Sequence, residues 1–307
     1  MNNKTLLTGL TITILMLLAT LFGPYLSPHG ADEQLKIHYD AAQNTVIAPP
    51  APPGGEYPLG TDKLGYDMLA IMLDGAKYTI LLSVAIALFR VLIGGIIGLI
   101  LGYYGKEKKG RTGQFSMWSL LNGIPVFIIA WMIMVGISMN PSVSPAYLAF
   151  LLAVVLAIIG IPSVAATIQE KAIVVREKQF VLSAKALGAS PWAIVRRHIF
   201  PSIKENVIIL FVQEAVLVLG LFGQLAIFHI FVGGTVRYLD PFLPPIYISR
   251  SNEWSGLIGQ ARNMFYVYQW ILLVPLIGYV LYIVGFHLIS VGLEKKYKKK
   301  YAKFAQI

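Results

Sequence analysis

A chain of 307 residues that is 56% apolar and only 13% charged does not have the composition of a water-soluble globule. Its net charge of +10 would suit a nucleic-acid binder, but the Lys and Arg residues sit in the gaps between long apolar runs, so no nucleic-acid partner is expected. The absence of cysteine removes disulfides, thiolate metal sites and a cysteine nucleophile together.

The first apolar run, Thr5 to Gly23, follows a single positive residue, Lys4, and is followed by Pro24-Tyr25-Leu26-Ser27 with no small-x-small cleavage pattern. It is expected to remain as an uncleaved membrane anchor. Spanning helices are predicted at about 5–23, 78–104, 115–139, 146–168, 206–231 and 270–292, each near or above the roughly 20 residues needed to cross ~30 Å of hydrocarbon. The expected fold class is therefore all-α, a polytopic membrane protein with about six transmembrane helices in a lipid bilayer. Three units follow: 1–77, an anchor helix with a long outside loop; 78–292, the membrane domain, which includes the segment 169–205; and 293–307, a basic tail.

Charge fixes the expected orientation. The terminus at Lys4, the loop 105–114, the segment 169–205 and the tail after Gly292 hold 18 Lys and Arg, whereas the alternate loops hold six. The positive-inside rule then places both termini in the cytoplasm, in a multi-pass cell-membrane protein. Of the two long outside segments, 24–77 carries Ala48-Pro49-Pro50-Ala51-Pro52-Pro53-Gly54-Gly55, which lacks donors and an apolar pattern and reads as an extended linker. The other, 232–269, has Asp240-Pro241 and Pro244-Pro245 followed by a predicted short helix over 253–264.

Two ionisable residues fall inside spans, where they are costly and so are functional candidates. Arg90 lies about 21 Å along its helix from Tyr104, and Glu214 about 12 Å from the cytoplasmic end of its own, a difference of roughly 9 Å. Each is expected to face the bundle interior and find a carbonyl, hydroxyl or water; direct pairing requires tilt or extended side chains. His229 and His287 fall near span ends and need no special role. No catalytic triad, paired carboxylates or metal-ligand cluster is present in the sequence, so neither enzymatic activity nor a metal or cofactor is expected. Gly105 to Thr112 approaches the phosphate-binding loop G-x-x-x-x-G-K-[ST] but has Arg111 in place of the lysine and follows a membrane helix rather than a strand. It reads as a basic cytoplasmic turn.

The segment 169–205 is the most informative. Gln169 to Leu187 mixes apolar and charged residues at helical spacing, Gly188 stops the helix, and Ser190-Pro191 offers a cap and a first-turn proline for a second helix over about 192–200 that ends before Pro201. A helix, a glycine break and a capped short helix form a protrusion that a partner could grip; the plainer reading is an amphipathic loop on lipid headgroups.

The stretch Phe180-Val181-Leu182-Ser183-Ala184-Lys185-Ala186-Leu187-Gly188-Ala189-Ser190, with Arg197-His198-Ile199-Phe200-Pro201, resembles the cytoplasmic coupling motif of binding-protein-dependent ABC importer permeases. Ala184, Gly188 and Pro201 keep that motif's spacing, while Leu182 and Ser183 replace its Glu and first Ala. Tyr57 to Asp67, Arg176 to Val181, and Glu214-Ala215 with Gly220 and Gly223 resemble the oligopeptide and dipeptide branch, in particular the subunit with a long first outside loop. Residues 224–252 have no counterpart in that pattern. The resemblance implies a type I ABC importer transmembrane domain in which Ala184, Gly188, Ala189, Ser190, Pro191, His198 and Pro201 couple to the ATPase. It further implies a second permease subunit, two cytoplasmic ATPase subunits, an external binding protein and a peptide substrate. Two alternatives stay open: an importer for a metal chelate or other small solute, and a secondary transporter or channel that uses Arg90 or Glu214 as an ion site.

Overall fold

The computed structural model describes residues 3–40, 45–105, 125–239, 241–242 and 244–304. Helix α1 (Lys4–Leu26) is capped by the Asn3 side chain, which accepts from the Leu6 N–H and donates to the Gly292 carbonyl. Helix α2 (Met68–Tyr104) runs 37 residues, about 55 Å, and is followed by α3 (Val126–Ser138) and α4 (Pro145–Arg176). Next come the short helices α5 (Gln179–Ala186) and α6 (Pro191–Ile194), a π turn over Val195–Ile199, and α7 (Phe200–Ile227). Helix α8 (Trp254–Ala261), a 3₁₀ turn over Arg262–Met264 and α9 (Gln269–Phe304) complete the helices of the described residues. Among the described residues, five helices are long and apolar enough to cross a membrane, and α3 is a shorter apolar helix of 13 residues. Residues 115–124, the first part of the predicted third span, lie outside the described residues, as does most of the basic turn at 105–112.

Helix α2 starts ten residues before the predicted span. Asp67 caps it by accepting from the Leu69 N–H, and its first turns carry the Asp74–Lys77 ion pair, whose charges end the apolar run although the helix continues. Small residues then let helices approach closely, which apolar surface alone does not drive inside a bilayer. A Cβ on Gly98 of α2 would lie 2.5 Å from the Ala165 carbonyl of α4, and one on Gly9 of α1 would lie 2.8 Å from the Gly285 carbonyl of α9.

The 24–77 loop is more ordered than an extended linker. Strands β1 (His38–Asp40) and β2 (Thr45–Ile47) pair antiparallel, and the proline-rich stretch, itself neither helix nor strand, is anchored where Ala51 and Thr61 exchange hydrogen bonds at 2.8 and 2.9 Å. The Trp270 indole at the start of α9 donates to the Thr61 carbonyl. In the second outside segment, β3 (Thr235–Tyr238) pairs antiparallel with β4 (Ile246–Ser249), and the predicted short helix is present as α8 and its 3₁₀ turn. Trp254 donates its backbone N–H to Thr79 and its indole N–H to the Met72 carbonyl, so both loops gather at the same end of the bundle.

The core has two parts. One, around Phe222, Tyr282, Leu156, Met134 and Trp254, fills the bundle and the end that carries the two loops. The other, around Val164, Ile168, Ala172, Val181, Ile194, Ile199 and Ile203, sits under the segment that links α4 to α7.

Candidate coupling and path site

Two predicted boundaries in this linking segment are corrected. The predicted span at 146–168 and the helix from Gln169 do not separate: α4 runs unbroken to Arg176, and the break falls at Glu177–Lys178. Nor does Pro201 end the second helix. The chain turns from α6 through the π turn into α7, with Pro201 in the first turn of α7. A proline ring presses on the carbonyl four residues earlier and cannot donate to it. The wider π turn, which ends two residues before Pro201, loosens the backbone there and lets the helix pass.

The break between α5 and α6 is built as expected. Gly188 has φ +82, its N–H donates to the Lys185 carbonyl, and the Ala189 N–H donates back to the carbonyl of Ala184. This is the Schellman pairing, which satisfies the last carbonyls of α5 and requires a left-handed residue at Gly188. No other atom lies within 4 Å of where a Gly188 Cβ would stand, so backbone conformation alone selects glycine. The Ser190 hydroxyl accepts from the Ala193 N–H, and Pro191 opens α6. His198 lies in the π turn, its carbonyl accepting from the Ser202 hydroxyl and its ring 6.2 Å from that of Phe180.

The resulting tip is packed on the helix that precedes it. Val181, Ile194 and Ile199 are buried against α4, while Leu187 is 87% and Trp192 70% exposed at the far end. Arg176, counted in the sequence only as a charge, clamps this tip to α2. Its Nη1 donates to the carbonyls of Gly102, Tyr103 and Gly105 at 3.1, 3.0 and 2.5 Å, capping the C-terminus of α2 with a cation.

Within the spans, Arg90 and Glu214 do pair. Arg90 Nη1 lies 3.0 Å from Glu214 Oε2, and Arg90 also donates from Nε and Nη2 to the Leu156 carbonyl at 3.0 and 2.7 Å. The expected carbonyl partner is therefore present together with the ion pair. The predicted height difference disappears because α7 starts at Phe200: Glu214 and Arg90 each lie 14 residues, about 21 Å, from the ends of their helices nearest the tip. Gly160 makes the room, since a Cβ there would lie 2.1 Å from Arg90 Nε. One guanidinium thus joins α2, α4 and α7, with both charged side chains about 4–5% exposed. Neither Leu156 nor Gly160 is visible as a partner in the sequence, because a carbonyl or a missing Cβ leaves no periodic signal.

At the opposite end of α7, His229 (φ +59) stacks on Tyr247 at 3.7 Å and accepts from Arg262 Nη2 at 2.9 Å. Burial, and then the Arg262 charge, push its pKa below the usual imidazole range and so favour the neutral ring. Glu253, the N-cap of α8, is fully buried, and its carboxylate accepts from the Val232 N–H and from the Ser255 N–H and hydroxyl. Burial raises its pKa to about 7. Among the described residues no three metal-binding side chains converge.

Residues 94–299 match the family described as the inner membrane component of binding-protein-dependent transport systems, and residues 1–53 match the N-terminal transmembrane domain of oligopeptide transport permease C. The oligopeptide transport system permease protein of Bacillus subtilis is 25% identical over 298 residues, covering 95% of this chain and 85% of its own length. A dipeptide transport system permease protein of Alkalihalophilus pseudofirmus is 25% identical over 95% of this chain and 85% of its own. A glutathione transport system permease protein of Pectobacterium atrosepticum is 24% identical over 92% and 82%.

Proposed function

Since the chain belongs to the family of inner membrane components of binding-protein-dependent transport systems, we propose that it is the permease subunit of an ATP-driven ABC importer for peptides. It pairs with a second, similar permease to enclose a path, receives cargo from an external binding protein, and docks two ATPase subunits on its cytoplasmic face. The relatives named for oligopeptide, dipeptide and glutathione transport support a short peptide as cargo. Both termini are cytoplasmic in this reading, which the bias of 18 to six in Lys and Arg supports.

The observation that carries the proposal is the tip between α4 and α7. Its helix ends are fixed internally by the Schellman pairing at Ala184, Gly188 and Ala189 and by the Ser190–Pro191 cap, and it presents Leu187 and Trp192 to solvent. An exposed apolar pair on a rigid support is a docking surface, and its short connections to α4 and α7 carry a push into two spans. Leu182, in place of the family's glutamate, is 52% exposed and adds apolar surface on the same element. The polar pair Arg90 and Glu214 joins α2, α4 and α7 so that they move together.

The test exploits the open space at Gly188. Gly188→Val carries a β-branched side chain into φ +82 at a cost of about 1–2 kcal/mol, whereas Gly188→Asn accepts that conformation. Both variants are expected to reach the membrane. Gly188→Val is expected to lose co-purifying ATPase subunits or to hydrolyse ATP without moving peptide, and Gly188→Asn to keep both functions. Wild-type assembly and transport by Gly188→Val would remove the tip from the mechanism.

A further inference from the structure

Just beyond the end of α7, a cavity of about 280 Å³ is lined by Lys63, His229, Pro244, Pro245, Tyr247, Arg262 and their neighbours. It has room for roughly nine waters at ~30 Å³ each. Among its described lining residues there are two full cations and no carboxylate. Lys63 is half-buried, and burial pushes its ammonium below the usual range. Its sequence neighbour Asp62 accepts from the backbone N–H groups of Leu64 and Tyr66 rather than pairing directly with it, and the nearby Asp62 charge opposes that effect of burial. Arg262 spends one nitrogen on the Ile227 carbonyl and another on neutral His229, so it too has no anionic partner among the described residues.

The cavity is rigidly built. Arg237 lies 5.8 Å over the Tyr247 ring, Tyr247 stacks on His229, and Arg262 meets the edge of that imidazole. Nε2 of His229 accepts from Arg262, and its buried Nδ1 has no partner among the described residues. His229 holds a left-handed backbone that a non-glycine residue adopts at a cost, and the Thr235 hydroxyl pins its carbonyl at 2.6 Å. Two cations without an ion-pair partner among the described residues, beside apolar Pro244, Pro245 and Tyr247 walls, are complementary to one chemical group, an anion attached to a short apolar body.

We infer that this cavity binds the C-terminal carboxylate of a short peptide, with Lys63 and Arg262 supplying the charge and Pro244, Pro245 and Tyr247 the wall for the terminal side chain. The inference rests on the peptide-import reading and adds a cargo contact on this subunit. Planar Arg262 suits a carboxylate geometrically, and Lys63 adds a point charge to the same lining. A free peptide is favoured over a carboxylate on a docked protein because a peptide terminus carries its charge at the end of a thin, extendable backbone.

The test uses the full chain in lipid nanodiscs without its binding protein, with trialanine and trialanine amide as probes. Trialanine is expected to bind and its amide to bind roughly ten-fold more weakly or less well still, the loss of a charge-assisted contact. Lys63→Gln should abolish the preference and Lys63→Arg restore it. Equal binding of acid and amide, or no binding of either, overturns the inference. A cysteine at Asn263, a rim position in this cysteine-free chain, reports the occupant: protection from a thiol reagent by trialanine supports the peptide, and protection only by peptide-free binding protein overturns it. Peptide uptake by the complete system separates the two readings. Uptake with wild-type behaviour of Lys63→Gln in every assay leaves the importer and removes the cavity. Lys63-dependent trialanine binding with no uptake leaves the cavity and removes the peptide cargo.

Discussion

Arg90 shows how an ionisable residue is kept inside a membrane. Its guanidinium satisfies one carboxylate oxygen of Glu214 and doubly satisfies the Leu156 carbonyl, and Gly160 is the vacancy it occupies. Removing one partner of such a pair leaves a buried charge behind, so Glu214→Gln is expected to destabilise the chain by about 3–5 kcal/mol. The double variant Arg90→Leu with Glu214→Leu should recover most of that loss. Gly160→Ala, which forces Arg90 aside, should resemble Glu214→Gln. Thermal unfolding of the detergent-purified chain measures all three, and a neutral Glu214→Gln would make the pair ornamental. The candidates themselves were legible from the sequence because two charges in apolar runs stand out. Their partnership was not, since it depended on where α7 begins, and the π turn that carries the helix past Pro201 has no sequence signature comparable to the proline itself.

At the scale of elements, the apolar runs located the spans and the Gly188-Ser190-Pro191 punctuation located the tip, because both signals are local. Non-local features stayed hidden. The first ten residues of α2 carry Asp74 and Lys77, which interrupt the apolar run, and the β1–β2 and β3–β4 hairpins consist of strands of only three or four residues. Helix α8 was foreseen, but its cap was not foreseen as a titrating group. Glu253 sits in the cap with its carboxylate buried, and its pKa of about 7 exceeds the ordinary glutamate value near 4.5. The folded state therefore holds this proton more tightly than the unfolded state. Its contribution is fully present below pH 4.5, declines as pH rises, and is lost once pH passes 7, a change of about 3 kcal/mol. The chain should melt at progressively lower temperature between pH 5 and 7.5, and Glu253→Gln should flatten that slope. An unchanged slope in Glu253→Gln would assign the effect to another group.

For the molecule as a whole, the two long loops meet at one end through Trp254 and Trp270, and Arg176 ties α2 to the tip at the other. With no native cysteine, sidedness can be measured one site at a time. Tyr266, 90% exposed at the loop end, and Lys298, exposed near the end of α9, are suitable positions. An impermeant thiol reagent on intact cells is expected to label Tyr266→Cys and spare Lys298→Cys, and the reverse pattern would invert the orientation. The π turn keeps the chain helical from Pro191 to Ile227, and Glu214 is one of the points that tie this stretch to its neighbours. Taken as a fulcrum, Glu214 divides the rod into arms of about 35 Å toward the tip and about 20 Å toward Ile227. A shift of about 5 Å at Trp192 then swings the far end by about 3 Å the opposite way. That end is where Arg262 grips the Ile227 carbonyl, so under the coupling role proposed for the tip a stroke delivered there would reach the cationic cavity with leverage of less than one: reduced travel, increased force.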